Sequence, residues 1–347
     1  MIVNVDLLAL ATNLTYLSSL TAISLLAYDP RFTANVLGPD VSARQLYDLP
    51  WQAFHEMGTY HKASNAVYIT SNYNSLQNPI NVTILNLDDY SLSSTRYDGL
   101  YEANGGTGYF PPGSDAVTPP KLLFCDEGDF EHASALTVVD PTTNESEVIL
   151  NSFLGRNFSS VNDVRQHPET GDLWFTDADY GWFQHFRPEP VIPKQVYRFE
   201  PATGVLQVVA DGFVESNGLE FSPDLKTLYV SDTGSGQFST NLTRPGTIYA
   251  FDIVGKKRLQ NRRTFAFADT GTPDGVHTDL DGNVWAACGD GVHIWDPEGI
   301  LLGKIHLGVA SNNFAFLPGA VLIFSNYQLW IVENIKAVGR EICRDFG

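Results

Sequence analysis

Two parallel series of short apolar runs constrain this chain more than any other feature. The first is Ala66-Val-Tyr-Ile-Thr-Ser-Asn72, Leu122-Leu-Phe-Cys-Asp126, Leu173-Trp-Phe-Thr-Asp177, Leu228-Tyr-Val-Ser-Asp232, Val284-Trp-Ala-Ala-Cys288 and Val321-Leu-Ile-Phe-Ser-Asn326. After each comes a second run that closes on an acid: Asp88, Asp140, Glu200, Asp252, Asp296 and Glu333, at spacings of 52, 60, 52, 44 and 37 residues. Units of this length, rich in Val, Ile, Tyr, Phe and Trp and split by Asp-Pro and Ala-Thr-Gly turns, read as β-meanders. Six such meanders set radially make a β-propeller, whereas a sandwich of two sheets does not generate two six-member series. The sequence therefore predicts an all-β, six-bladed propeller over residues 50–347. Residues 1–49 are expected to cap the ring or lend a strand that closes it. Helical periodicity is confined to residues 6–27.

Composition narrows the function. The 40 Asp and Glu outweigh the 21 Lys and Arg, leaving a net charge of −19 that repels phosphate backbones and anionic headgroups. Nucleic acid and membrane surfaces are excluded as expected partners; a small-molecule substrate is expected, on a monomer or weak dimer. The 21 Phe, 15 Tyr and 6 Trp supply a large core, which rules out a disordered chain. Three cysteines cannot form a disulfide framework. Glycosylation sequons begin at Asn13, Asn81, Asn144, Asn157 and Asn241, pointing to the secretory pathway or the extracellular space. The first residues lack the basic start and cleavage site of a signal peptide, so a signal removed beforehand is the expectation.

Residues that open the innermost strand of each blade converge on the propeller axis. The six starts carry His55-Glu56, Asn104-Gly105, Asn162-Asp163, Asn217-Gly218, Asp274-Gly275 and Asn312-Asn313. Turn chemistry accounts for any single Asn-Gly or Asp-Gly, but not for Glu56 or for agreement across all six copies. Oxygens from Glu56, Asn162, Asn217 and Asp274 suit a hard divalent cation. No Gly-x-Ser-x-Gly elbow and no zinc-type spacing of Cys and His is present.

Three blocks carry a resemblance: Ser160-Val-Asn-Asp163 with Leu173-Trp-Phe-Thr-Asp-Ala-Asp-Tyr-Gly181, Ser216-Asn-Gly-Leu-Glu-Phe-Ser-Pro-Asp224 with Leu228-Tyr-Val-Ser-Asp232, and Pro273-Asp-Gly-Val-His-Thr-Asp-Leu-Asp-Gly-Asn-Val-Trp285. Together they resemble the SMP-30/gluconolactonase/regucalcin-like family, while Phe54-His-Glu56 and Ala103-Asn-Gly-Gly-Thr107 resemble its fungal branch. The resemblance implies one axial divalent cation, commonly calcium. It assigns Glu56, Asn217 and Asp274 as ligands, Asn162 as ligand or substrate contact, and Asp274 as general base or nucleophile. Two departures stand out. Met57-Gly58-Thr59 replaces the family's Gly-Pro or Ala-Pro after the glutamate, and Ser160 stands where the animal branch has an arginine that grips sugar hydroxyls.

These features predict a metal-dependent lactone or ester hydrolase acting on a hydrophobic molecule rather than a sugar lactone, with Asp274 and Asn162 as catalytic residues. The expected substrate contacts are Asn104, Tyr109, Ser160, Tyr180, Trp182 and His277, in a mouth that also gathers Tyr60, Phe110 and Phe183. His55, His61, His132, His185 and His277 are the histidines placed to shuttle a proton. The resemblance also implies an alternative, because fungal relatives include proteins that shape a hetero-Diels–Alder cyclisation without hydrolysis. A propeller with a purely structural ion is the third reading.

Overall fold

The computed structural model describes residues 1–12, 20, 23–75, 79–115, 118–236 and 240–342. Six of its sheets stand around one axis as a six-bladed β-propeller, and a small two-stranded sheet of Ser152–Phe153 with Arg156–Asn157 lies between the second and third blades in sequence. The innermost strands are Glu56–His61, Ala103–Tyr109, Ser160–Gln166, Ser216–Phe221, Val276–Thr278 and Asn313–Leu317. Each leads by an antiparallel hairpin into the second strand, and those six are Ala66–Thr70, Lys121–Asp126, Leu173–Ala178, Thr227–Asp232, Val284–Cys288 and Ala320–Ser325. All six runs of the first sequence series are therefore second strands, and the acid-closed runs lie on the third strands.

The runs are apolar on both faces because each blade is sandwiched between two others. One hydrophobic wedge fills each of the six interfaces between neighbouring blades, such as Trp285, Ile294, Phe314 and Ile323 between the fifth and sixth. Cys125 and Cys288 lie buried and unbonded in two of these wedges. At ~25 cal/mol per Å² buried, these wedges hold the blades in register.

Residues before the first blade complete the ring's outer layer. Strand Leu37–Asp48 pairs antiparallel with Gln328–Ile335 and becomes the outermost strand of the sixth blade, joining the two ends of the propeller. Strand Ser24–Ala27 extends the fifth blade against Leu301–His306, and Ile2–Asn4 adds to it in parallel. The short helix Leu7–Thr12 buries no residue. Among the described residues no helix is long and apolar enough to cross a membrane. Of the sequon asparagines, Asn144 and Asn157 are exposed, Asn81 and Asn241 half-buried, and Asn13 lies outside the described residues.

Candidate functional site

A cavity of about 190 Å³ opens at the end of the axis where the innermost strands begin, lined by Glu56, Asn104, Asn162, Asn217, Asp274 and Asn312 from six different blades. Backbone irregularity aims these side chains. In blades one to four the innermost strand loses register with its neighbour immediately after or across the site residue: between Met57 and Thr59, Ala103 and Gly106, Val161 and Val164, and Ser216 and Leu219. Such bulges turn a side chain off the sheet face, here toward the axis. In the first blade Met57 and Gly58 both adopt left-handed backbone (φ 68° and 70°), a strained pair directly after Glu56. A side chain at position 58 would meet the Phe324 ring at 2.6 Å, so glycine is required there.

The first sequence series supplies the clamps that hold these bulges. Thr70 Oγ1 donates to the Asn104 carbonyl at 2.8 Å, Thr176 Oγ1 to that of Asn217 at 2.8 Å, and Ser231 Oγ to that of Asp274 at 2.8 Å. In each case a hydroxyl on one blade fixes the site residue of the next. The acids that end those runs clamp the incoming loops. Asp126 accepts from the amides of Tyr101, Glu102 and Gly128, Asp177 from Ser159 and Ser160, and Asp232 from Val214, Glu215 and Gly234. The run-ending Thr-Asp or Ser-Asp pair is thus a scaffold for the site, a role the sequence reading did not give it.

The electrostatics are those of an acid-rich cavity. Burial, then the nearby Asp274 carboxylate, pushes the Glu56 carboxyl well above the usual carboxylate range, although the Asn313 amide opposes them. Asp274 keeps an opening to the cavity yet lies deep in the protein, and burial pushes it up to about 7 against the hydrogen bonds of Asn312 and Asn217. Burial also pushes the His55 imidazole down to about 4, so a neutral ring lines the same wall.

The decisive observation is what these oxygens lack. The side-chain Oδ1 atoms of Asn104, Asn162, Asn217, Asp274 and Asn312 are all buried with no hydrogen-bond partner among the described residues. A buried unpaired acceptor costs about 1–3 kcal/mol, so five facing one small cavity form a donor set built for something electropositive. With the Glu56 carboxylate in the same lining, the all-oxygen set holds two carboxylates and fits a hard divalent cation. Asn217 Nδ2 donates to the Tyr180 hydroxyl at 2.7 Å, and that hydroxyl also meets the hydroxyl of Thr233. Were a divalent cation held here, Tyr180→Phe, which removes this partner of Asn217, would be expected to weaken its binding about tenfold with little change in melting temperature, as loss of an outer partner does at metal sites. Unchanged affinity in a calorimetric titration counts against that role.

A second cluster lies deeper on the axis. Glu220, His277 and Glu341 bring ligand atoms within 4.8 Å of one another. Two guanidinium groups already occupy its neighbourhood: Arg165 lies 2.8 Å from Glu341 and 3.2 Å from Glu220, and Arg340 2.6 Å from Glu220. This cluster closes the axis with the chain's own cations.

Several expected contacts are corrected. Tyr109 is core, packed with Leu123, Phe158 and Val164 between blades two and three. It ends a strand whose first residues stand at the mouth, so it emerges at the opposite face; Tyr60 and Phe110 do likewise. Ser160 is fully buried, its hydroxyl accepting from the Gly181 amide at 2.9 Å. His277 sits below the cavity, and Trp182 is not among its lining residues, although Tyr180 and Phe183 are. Of the histidines only His55 lines the wall; His132, for one, stacks on Tyr101. Eleven of the fourteen lining residues are polar, so the apolar mouth reduces to the Tyr180–Phe183 pair, ring centroids 5.2 Å apart. A larger groove of about 870 Å³ at the opposite face, beside Phe110, Gln166 and His167, holds none of the axial oxygens.

A six-bladed propeller with an oxygen-lined axial cavity defines a class of small-molecule site, and comparison with known proteins narrows it. Residues 90–322 match the SMP-30/gluconolactonase/LRE-like region, and the chain belongs to that family. It is 37% identical to the lactonohydrolase oryL of Aspergillus oryzae over 201 residues, 52% of this chain and 45% of that one. With the gluconolactonase of Zymomonas mobilis it shares 32% over 205 residues, 56% and 54% of the two chains. The chain spans about half the length of these curated relatives. Among solved structures, a gluconolactonase of Xanthomonas campestris superposes with a TM-score of 0.74 at 26% identity, covering 91% of this chain and 95% of that one.

Proposed function

We propose that this chain opens the ring of a small lactone by adding water, at a divalent cation held by Glu56, Asn162, Asn217 and Asp274. The convergence of unpartnered oxygens on one cavity carries this reading. The lactonohydrolase and gluconolactonase named among the relatives support it. When bound, a hard cation such as calcium would polarise the lactone carbonyl and stabilise charge developing on its oxygen.

The chain's own residues do the rest. Asp274 accepts a proton at its carboxylate from the water that adds to the carbonyl carbon. As the bond from that carbon to the ring oxygen breaks, the proton passes to the departing oxygen, and the product is a hydroxy acid. Asn162 orients the lactone through its amide, and Tyr180 with Phe183 offers one flat apolar wall. With no arginine at position 160 and a largely polar lining, the substrate best suited is a lactone with one apolar face and a few polar substituents. The cyclisation alternative needs extended aromatic surface at the mouth, and Tyr60, Tyr109 and Phe110 lie elsewhere.

The test is a pH-stat assay on aliphatic, aryl and sugar lactones, before and after chelation. Ring opening that stops with chelator and returns with calcium is expected. Undiminished turnover in the chelated protein would sink the metal dependence, and failure to open any of the three classes would sink the lactonase reading.

A further inference from the structure

We infer that Asn313, braced from below by His277, is a positioning residue that fixes the Glu56 carboxylate for cation binding. The inference rests on the reading of Glu56 as a ligand.

The geometry fixes each atom in turn. Asn313 is 1% exposed, and its Oδ1 accepts from the Phe314 backbone amide at 2.8 Å. Since a backbone N–H can only donate, the carboxamide has one orientation, and its Nδ2 must face the other way. There it donates to Glu56 Oε2 at 2.7 Å, across 257 residues of sequence. The same Oδ1 lies 3.1 Å from His277 Nε2, so that nitrogen is the donor. The other ring nitrogen faces Glu341 Oε2 at 3.5 Å and Glu220 Oε2 at 3.9 Å. Those carboxylates are in turn gripped by Arg165 and Arg340. The neighbouring backbone is shaped to the amide, because a side chain at Gly275 would sit 2.2 Å from Asn313 Oδ1. Every polar atom of the Asn313 side chain is thus engaged, and Glu56 is held by a group that cannot rotate.

The arrangement separates two tasks. Glu56 Oε2 is engaged from the floor, while the carboxylate group lines the cavity beside Asp274. Loss of an outer partner of this kind weakens metal affinity by about 10–100-fold.

The experiment is a calorimetric calcium titration of the full chain and of Asn313→Leu, which keeps the branched shape of the side chain and removes both hydrogen-bonding ends. Asn313→Ser serves should the leucine variant fail to fold. Thermal unfolding in chelator is measured alongside. A dissociation constant raised about 10–100-fold, in protein that still unfolds cooperatively, is the expected result. Wild-type affinity in a folded variant, or a loss confined to melting temperature, would overturn the inference. Absence of calcium binding by the wild-type chain would instead overturn the reading of the site itself, so the two failures are distinguishable.

Discussion

Asp274→Asn is expected to lower kcat for lactone opening by a factor of about 10³ while raising the melting temperature of the chelated protein. Removing a general base costs about 10²–10⁴ in rate, and the same change removes one of two carboxylates from the proposed cation set. The stability effect has the opposite sign. Without a cation, Asp274 and Glu56 face each other in a cavity where burial opposes ionisation of both. A neutral amide of the same shape relieves that opposition. A variant that loses activity and also melts lower than the wild type would show that Asp274 is a structural acceptor.

The second large effect is expected in the coupling of heat stability to cation and pH. Calcium at about a thousand times its dissociation constant should add ~4 kcal/mol to folding, which in a chain of this size is a rise of several degrees in melting temperature. In chelator, stability should fall as pH rises from about 6.5 to 8.5. The sign follows from the carboxyls that burial raises: Glu127 and Glu215 to about 8, and Asp274 to about 7. In this window the folded chain keeps protons that the unfolded chain has released, so raising pH favours unfolding. Buried histidines pushed downward, such as His55, act mainly below this window. Calcium should flatten the trend, because binding requires the ionised carboxylates of Asp274 and Glu56 and strengthens as pH rises through about 7, which leaves only the share of groups outside the cavity such as Glu127 and Glu215. Differential scanning fluorimetry across pH with and without calcium reads both slopes, and parallel slopes would contradict the coupling.

The ring and its inner-strand starts were legible in the sequence because each blade must solve the same packing problem, and solves it with the same run of residues. Glu56, Asn162, Asn217 and Asp274 were found by position in that repeat, and the structure brings them to one cavity. Tyr109 was misplaced for a physical reason. It begins no strand but ends one, five residues beyond Asn104, and at ~3.3 Å per residue that is about 17 Å from the mouth. Nearness in sequence was read as nearness in space. Tyr180 lines the cavity, and its hydroxyl is engaged by Asn217 Nδ2. Glu341 carried no signal at all, since it lies beyond the last repeat and meets Arg165 and His277 only through the path of the chain after Ile335.

The most direct test of the axial site is a calcium titration by calorimetry at pH 8 on the chelated full chain, Glu56→Gln and Asp274→Asn. The oxygen set predicts one ion per wild-type chain and loss of that binding in either variant. Absence of binding by the wild type, or an affinity that survives both substitutions, would contradict it.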